Sequence, residues 1–178
     1  MTYPFFQSHI RKSSGFTLLE LIVVIAIVGL FSALVLVSVT EERKKARDTK
    51  RMQDISQIQR ALELYYDQYG VYPTPDFDGC GGWDVGNRDL PLLNTRLDEF
   101  MPNTPEDPYY SGNCIGYRYY RYEAGTGDCD PKKGAFYVLG ITNFEASDLS
   151  AVSSPGWSCP LRNWQGEYAW VTGRFEKP

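Results

Sequence analysis

The stretch Gly15-Phe16-Thr17-Leu18-Leu19-Glu20-Leu21-Ile22-Val23-Val24 opens an apolar run whose one charge before Glu41 is Glu20. Leu21 to Thr40 is 20 uncharged residues, about 30 Å as a helix and therefore about one bilayer thick. A carboxylate at the head of such a helix costs on the order of 2.5–3.5 kcal/mol near the bilayer centre and less toward an interface. It needs a cationic partner, and none stands near it in the uncut chain. Cutting between Gly15 and Phe16 would create an α-amine four residues upstream of Glu20. The plainer alternatives for this segment fit less well. A cleavable signal peptide has an apolar core of about 7–15 residues and an Ala-x-Ala-like site; this run is longer and has no such site. An ordinary anchor has no use for Glu20.

Gly15, Phe16, Thr17, Leu18 and Glu20 resemble the processing motif of type IV prepilins and type II secretion pseudopilins. The resemblance implies that a prepilin peptidase cuts after Gly15, removes the leader 1–15 and methylates the amine of Phe16. Glu20 then pairs with the amine of a neighbouring subunit, with Thr17 and Gly29 in the same assembly helix. It also implies an α+β, ladle-like pilin fold: one long N-terminal helix carrying a small head with a three-stranded antiparallel sheet. The expected parts are 16–40 as membrane and filament-core half-helix, 41–70 as its amphipathic half, and 71–178 as the head. The leading functional expectation is a structural subunit of a type IV pilus, displayed on an extracellular filament for adhesion, motility or DNA uptake. A major pseudopilin of a type II secretion system is the alternative. A membrane-anchored binding protein that never polymerises is more distant. The implied partners are further copies of the chain, the peptidase, an assembly platform with minor pilins, and the membrane before assembly.

Topology raises a conflict. Arg11 and Lys12 precede the run, but Arg43, Lys44, Lys45, Arg47, Lys50 and Arg51 follow it, so the positive-inside rule alone would place the head in the cytoplasm. The processing motif and the cysteines argue for the opposite side. Without its leader the chain keeps 16 basic residues against 22 acidic ones, a net charge of −6.

Beyond the apolar run, Met52, Ile55, Ile58, Leu62, Tyr65 and Tyr69 recur every three or four residues, with Arg51, Asp54, Gln57, Arg60 and Asp67 assigned to the other faces. This is an amphipathic helix. Gly70 suits the left-handed residue that ends it, and Pro73 follows. One helix over Phe16–Tyr69, 54 residues and about 80 Å long, is expected. Gly29 is its one weak point, at about 1 kcal/mol relative to alanine; close helix packing is the other use for it. Filaments of the family unwind this part of the helix, usually beside a proline, and no proline lies between Pro4 and Pro73. The charges from Glu41 to Arg51 are read either as a solvated face with i,i+4 pairs such as Glu41–Lys45 and Lys44–Asp48, or as charges, Arg47 and Lys50 among them, that meet neighbouring subunits.

From Gly70 the chain has 14 Gly and 10 Pro in 109 residues, so turns dominate. Gly116–Tyr122, Ala135–Thr142 and Glu167–Phe175 read as strands of a meander lying on the helix. Asp89 and Pro91 are read as the start of a short helix bearing Leu93, Leu97 and Phe100, stopped by Pro102. Pro105-Glu106-Asp107-Pro108-Tyr109 loosely resembles the stretch before the sheet in major pseudopilins.

Cys80, Cys114, Cys129 and Cys159 lack zinc spacing and read as two disulfides in an externally displayed head. The meander brings the start of its first strand and the approach to its third to one end. This favours Cys114–Cys159 and leaves Cys80–Cys129.

No enzyme is expected. The one histidine, His9, lies in the leader, which removes Ser-His-Asp and Cys-His arrangements from the processed chain, and no Gly-rich phosphate loop is present. No metal or cofactor is expected either. Asp76 with Asp78 and Asp128 with Asp130 lack EF-hand spacing, and the C-terminal calcium loop of major pseudopilins does not align here. Tyr117, Arg118, Tyr119, Tyr120, Arg121 and Tyr122 suggest a stacking platform for single-stranded nucleic acid. Strand alternation and the acidic balance favour a packing role instead.

Overall fold

The computed structural model describes residues 15–76, 80–93, 96–110, 112, 114–146 and 152–177, without the side chains of 33–38. Residues 1–14 of the leader, with His9, Arg11 and Lys12, and Asp78 lie outside the described residues. The architecture is α+β: helix α1, Leu18–Tyr69, and an antiparallel sheet. The chain divides into two compact units at Thr40/Glu41.

In the first unit α1 begins two residues later than the pattern predicts and runs unbroken through Gly29, where an added Cβ would meet nothing within 4 Å. Its side chains from Leu18 to Phe31 point outward uncovered, Leu18 at 75 % and Phe31 at 61 % exposure. A helix apolar all round needs a covering that the single chain does not supply. Ser32 donates to the Val28 carbonyl at 2.7 Å, which satisfies its hydroxyl inside the run. Among the described residues no helix is long and apolar enough to cross a membrane; the described side chains of the run break off at residue 32 and resume at 39.

In the second unit α1 ends as predicted, with Gly70 at φ 71° and its N–H on the Tyr66 carbonyl at 2.7 Å. Ile55, Ile58 and Leu62 are buried against a sheet of four strands, where three were predicted. The order is β1 (Asp84–Gly86), β2 (Tyr117–Tyr122), β3 (Phe136–Ile141), β6 (Trp170–Phe175), all antiparallel. Tyr117 pairs with Ile141, Ile141 with Trp170, and Asp84 with Tyr119. β4 (Ser158–Cys159) and β5 (Arg162–Asn163) form a separate two-residue ladder.

The alternation in β2 and β3 sorts the aromatics into two cores. Tyr117, Tyr119, Tyr137, Leu139 and Ile141 face α1. Tyr122, Phe136 and Val138 face away, under Trp83, Trp164 and Val171. Gly140 and Gly173 permit this second layer. An added Cβ would lie 2.9 Å from the Tyr168 ring at the first and 2.4 Å from the Trp157 ring at the second.

Two further expectations need correction. The segment after Asp89 forms turns, not a helix. Asn87 Oδ1, not Asp89, accepts the Asp89 and Leu90 N–H groups, and Leu93 takes φ 52° with its N–H on Asp84 Oδ1. Leu93 and Leu97 are nevertheless fully buried. The packing role favoured for residues 117–122 agrees with the structure: Tyr117 and Tyr119 are buried, Arg118 donates to the carbonyls of Cys114 and Cys80, and Arg121 is held by Glu176 and Glu123.

The disulfides are Cys80–Cys114 and Cys129–Cys159, with Cα atoms 5.5 and 5.0 Å apart, not the pairing predicted from the meander. The reason is the two small ladders missed in the sequence. Gly81 and Gly82, at φ 69° and 86°, turn the chain between Cys80 and β1. β1 then lies beside β2, and Arg118 ties the two cysteine carbonyls together. The β4–β5 turn meets the β2–β3 connection, with Leu161 N–H on the Gly127 carbonyl at 3.0 Å. Nonreducing peptide mapping should recover these two pairs. The bridges span 34 and 30 residues, so opening either should cost about 3–4 kcal/mol in the chain-entropy model, read as a fall in unfolding midpoint on reduction. A reduced head as stable as the oxidised one would remove them from the stability account.

Candidate processing and assembly site

Residues 15–20 pass from extended chain into α1. Gly15 and Phe16 precede the helix, and Phe16 is 82 % exposed. Thr17 and Glu20 form a reciprocal capping box. Thr17 Oγ1 accepts the Glu20 N–H at 3.2 Å, and Glu20 Oε2 accepts Thr17 N–H at 3.3 Å and the Thr17 hydroxyl at 3.2 Å. Thr17 is thus the N-cap that three-residue spacing to a glutamate supports. The carboxylate also sits at the positive end of the helix dipole. It turns back onto Thr17, the residue after Phe16. Gly29 lies nine residues further along, away from this cluster.

The charged segment after the apolar run is organised differently from its sequence reading. Asp48, Arg51 and Asp54 are 2 %, 0 % and 5 % exposed. Arg51, assigned to an outer face, is the hub of a buried cluster. Its Nε and Nη2 donate to Asp107 Oδ2 and Oδ1 at 2.7 and 2.8 Å, and Nη1 reaches Asp48 and, at 2.8 Å, Glu145. Asp107 also accepts the N–H groups of Tyr109 and Tyr110 at 3.0 and 2.9 Å. Asp48 accepts those of Glu145 and Ala146. Arg47 forks onto Glu145 at 2.8 and 2.6 Å, while Lys50 and the Tyr117 hydroxyl both reach Asp54 Oδ2. The cluster pins α1 to the Pro105–Tyr110 segment and to the chain after β3.

The pKa directions follow from this geometry. Burial works against the Arg51 cation, but its bonds to Asp107, Glu145 and Asp48 outweigh that and raise its pKa. Burial pushes Asp107 upward, yet Arg51 and the two backbone donors hold it below the usual carboxylate range. Glu145 is likewise lowered against its burial, by Arg47 and Arg51.

The i,i+4 pairs expected in the collar are replaced by Glu41–Lys44 at 2.7 Å and Glu42–Lys45 at 3.5 Å. Arg47 and Lys50, open in the sequence to neighbouring subunits, are occupied within the chain. A signal for the buried hub was present: 48, 51, 55, 58 and 62 step by three or four along the apolar stripe. Assigning residues by polarity rather than position hid it. Among the described residues no group of three or more His, Cys, Asp or Glu is placed to hold a metal ion. Arg96 occupies Asp76, and Asp130 Oδ1 accepts the Lys132 N–H at 3.0 Å.

Residues 10–36 match the family model described as the prokaryotic N-terminal methylation motif. The chain is similar to proteins named type II secretion system core protein G. The Vibrio cholerae protein is 32 % identical over 103 residues, covering 58 % of this chain and 70 % of the relative. That of Escherichia coli is 40 % identical over 100 residues, 55 % and 68 % of the two chains. The Pseudomonas aeruginosa protein is 39 % identical over 101 residues, 56 % and 70 %. The chain belongs to the type IV prepilin and type II secretion pseudopilin family. No solved structure matches it.

Proposed function

We propose that this chain is a major pseudopilin: a structural subunit cut after Gly15, methylated on Phe16, and polymerised through α1 into a short filament that serves protein secretion. The observation that carries the choice is the likeness to core protein G of several type II systems, which favours the secretion filament over the surface pilus expected from the motif alone. In this reading the uncharged run 21–40 holds the precursor in the membrane, and copies of the same helix later replace lipid around it. Two disulfides suit a head outside the cytoplasm. Prepilin peptidase, an assembly platform and minor subunits are the partners this requires.

Deleting the gene should leave the substrates of a type II system inside the cell while surface fibres and twitching persist. Filaments sheared from an overproducing strain should yield an N-terminal peptide beginning at methylated Phe16. Loss of twitching with intact secretion would favour a pilus, and a mature protein retaining residues 1–15 would overturn both.

A further inference from the structure

Lys133 and Lys177 meet where the single-turn helix Pro131–Lys133 approaches the end of β6. Lys177 N–H donates to the Lys133 carbonyl at 3.0 Å, and a Cβ on Gly134 would touch Lys177 Cγ at 3.3 Å. Both ammonium groups are exposed, and neither has a carboxylate within salt-bridge distance among the described residues. Lys133 Nζ lies 5.3 Å above the Phe175 ring. With Arg174 and Trp157 they line an open cleft of about 280 Å³. Trp157 Nε1 is buried there without an acceptor among the described residues. Arg174 is 62 % exposed and shares its charge with Glu63 at 2.9 Å. The side-chain polar groups of the cleft are donors or cations, a set that suits a carboxylate.

β6 is one edge of the sheet and β1 the other, with β2 and β3 between them. The turns that follow β1, tied to it through Leu93 N–H on Asp84, end in an exposed acidic pair, Asp98 and Glu99. Tyr69 OH and Gln68 Nε2 hold Glu99 at 3.1 and 3.3 Å, and the Phe100 ring beside it packs edge-on against Tyr69 and Tyr65. An acidic, aromatic face held on the last turns of α1 and a basic, aromatic cleft at the end of β6 are therefore separate surfaces of the head. In a processed chain of net charge −6, 16 basic against 22 acidic residues, copies repel unless such opposite patches meet.

We propose that the Lys133–Lys177 cleft receives the Asp98–Glu99 face of a second copy. Because the donor and acceptor surfaces are different, the contact is heterologous and repeats from copy to copy, and it builds an open filament when the rotation between copies does not close a ring. The inference rests on the polymerising function above and adds to it a contact between heads.

The test is charge exchange in the full chain, read as sheared-fibre yield. Lys133→Glu with Lys177→Glu, and separately Asp98→Lys with Glu99→Lys, should each lower the yield about tenfold or more, since like charges facing each other cost several kcal/mol. Combining all four substitutions should bring the yield back toward that of the parent. Carbodiimide treatment of unaltered fibres, which needs no variant to fold, should join Lys133 or Lys177 to Asp98 or Glu99 of another copy. Absence of that cross-link, or full fibre yield from both reversed pairs, overturns the contact. So does a cationic reversal that lowers retention of single-stranded DNA by fibres whose yield is unchanged, which would make the cleft a polyanion site. Fibres lost on Glu20→Leu but insensitive to these reversals would sink this inference and leave the polymerising function standing.

Discussion

Glu20→Leu should lower filament yield by about tenfold or more, with about a hundredfold as the upper limit, while the precursor is still inserted and cut. Glu20 heads the uncharged run 21–40, so its penalty in the stored monomer is below the roughly 2.5–3.5 kcal/mol of the bilayer centre. In the proposed assembly, pairing with the Phe16 amine of another copy would relieve that cost only in the polymer. A leucine at this position is content in lipid, so that drive to leave the bilayer would be lost, and at about 1.4 kcal/mol per tenfold the equilibrium would shift by up to about two decades. Thr17→Ala separates this from local helix capping. It removes the hydroxyl partner of Glu20, worth about 1 kcal/mol, and should reduce yield only several-fold. Equal fibre yields from the parent and Glu20→Leu would end the assembly role.

Arg51→Ala should destabilise the head by about 3–5 kcal/mol, because it strands buried Asp48, Asp107 and Glu145 carboxylates around a missing cation. Arg51→Lys keeps the charge but not the fork onto Asp107, and should fall between. The cluster also sets an acid limit. Asp107 and Glu145 have folded pKa values below their unfolded ones, so the folded state binds fewer protons in the range where the unfolded chain titrates. Their contribution is fully present above about pH 5 and is lost as pH falls through about 4 and below. Thermal unfolding of the full chain in detergent between pH 3 and 7 reads this directly. Asp107→Asn should be less stable at pH 7 and should flatten the acid slope. An unchanged slope in that variant would place the acid sensitivity elsewhere.

How much was legible differs along the chain. Residues 15–20 stood out as a motif because a charge beside an apolar run is locally anomalous, and the Thr17–Glu20 capping box adds only geometry to that. The helix end at Gly70 and the three longer strands were equally readable, since periodicity and turn residues act over a few positions. Arg51 was misassigned because polarity and burial normally exclude each other. Asp107, 56 residues away, together with Glu145 and Asp48 makes the exception affordable. β1 and β4 escaped notice because strands of three and two residues carry no alternation to read, and with them went the cysteine pairing.

The sequence by itself thus determined the α+β class, the long helix, the processing motif and the presence of four cysteines in the head, because each depends on spacing within one segment. Tertiary structure alone decided which cysteines meet, which charges are buried, and that the sheet is covered on both faces. Those outcomes depend on loop closures that bring distant segments together. The energy of such contacts belongs to pairs of residues, and no local pattern records it.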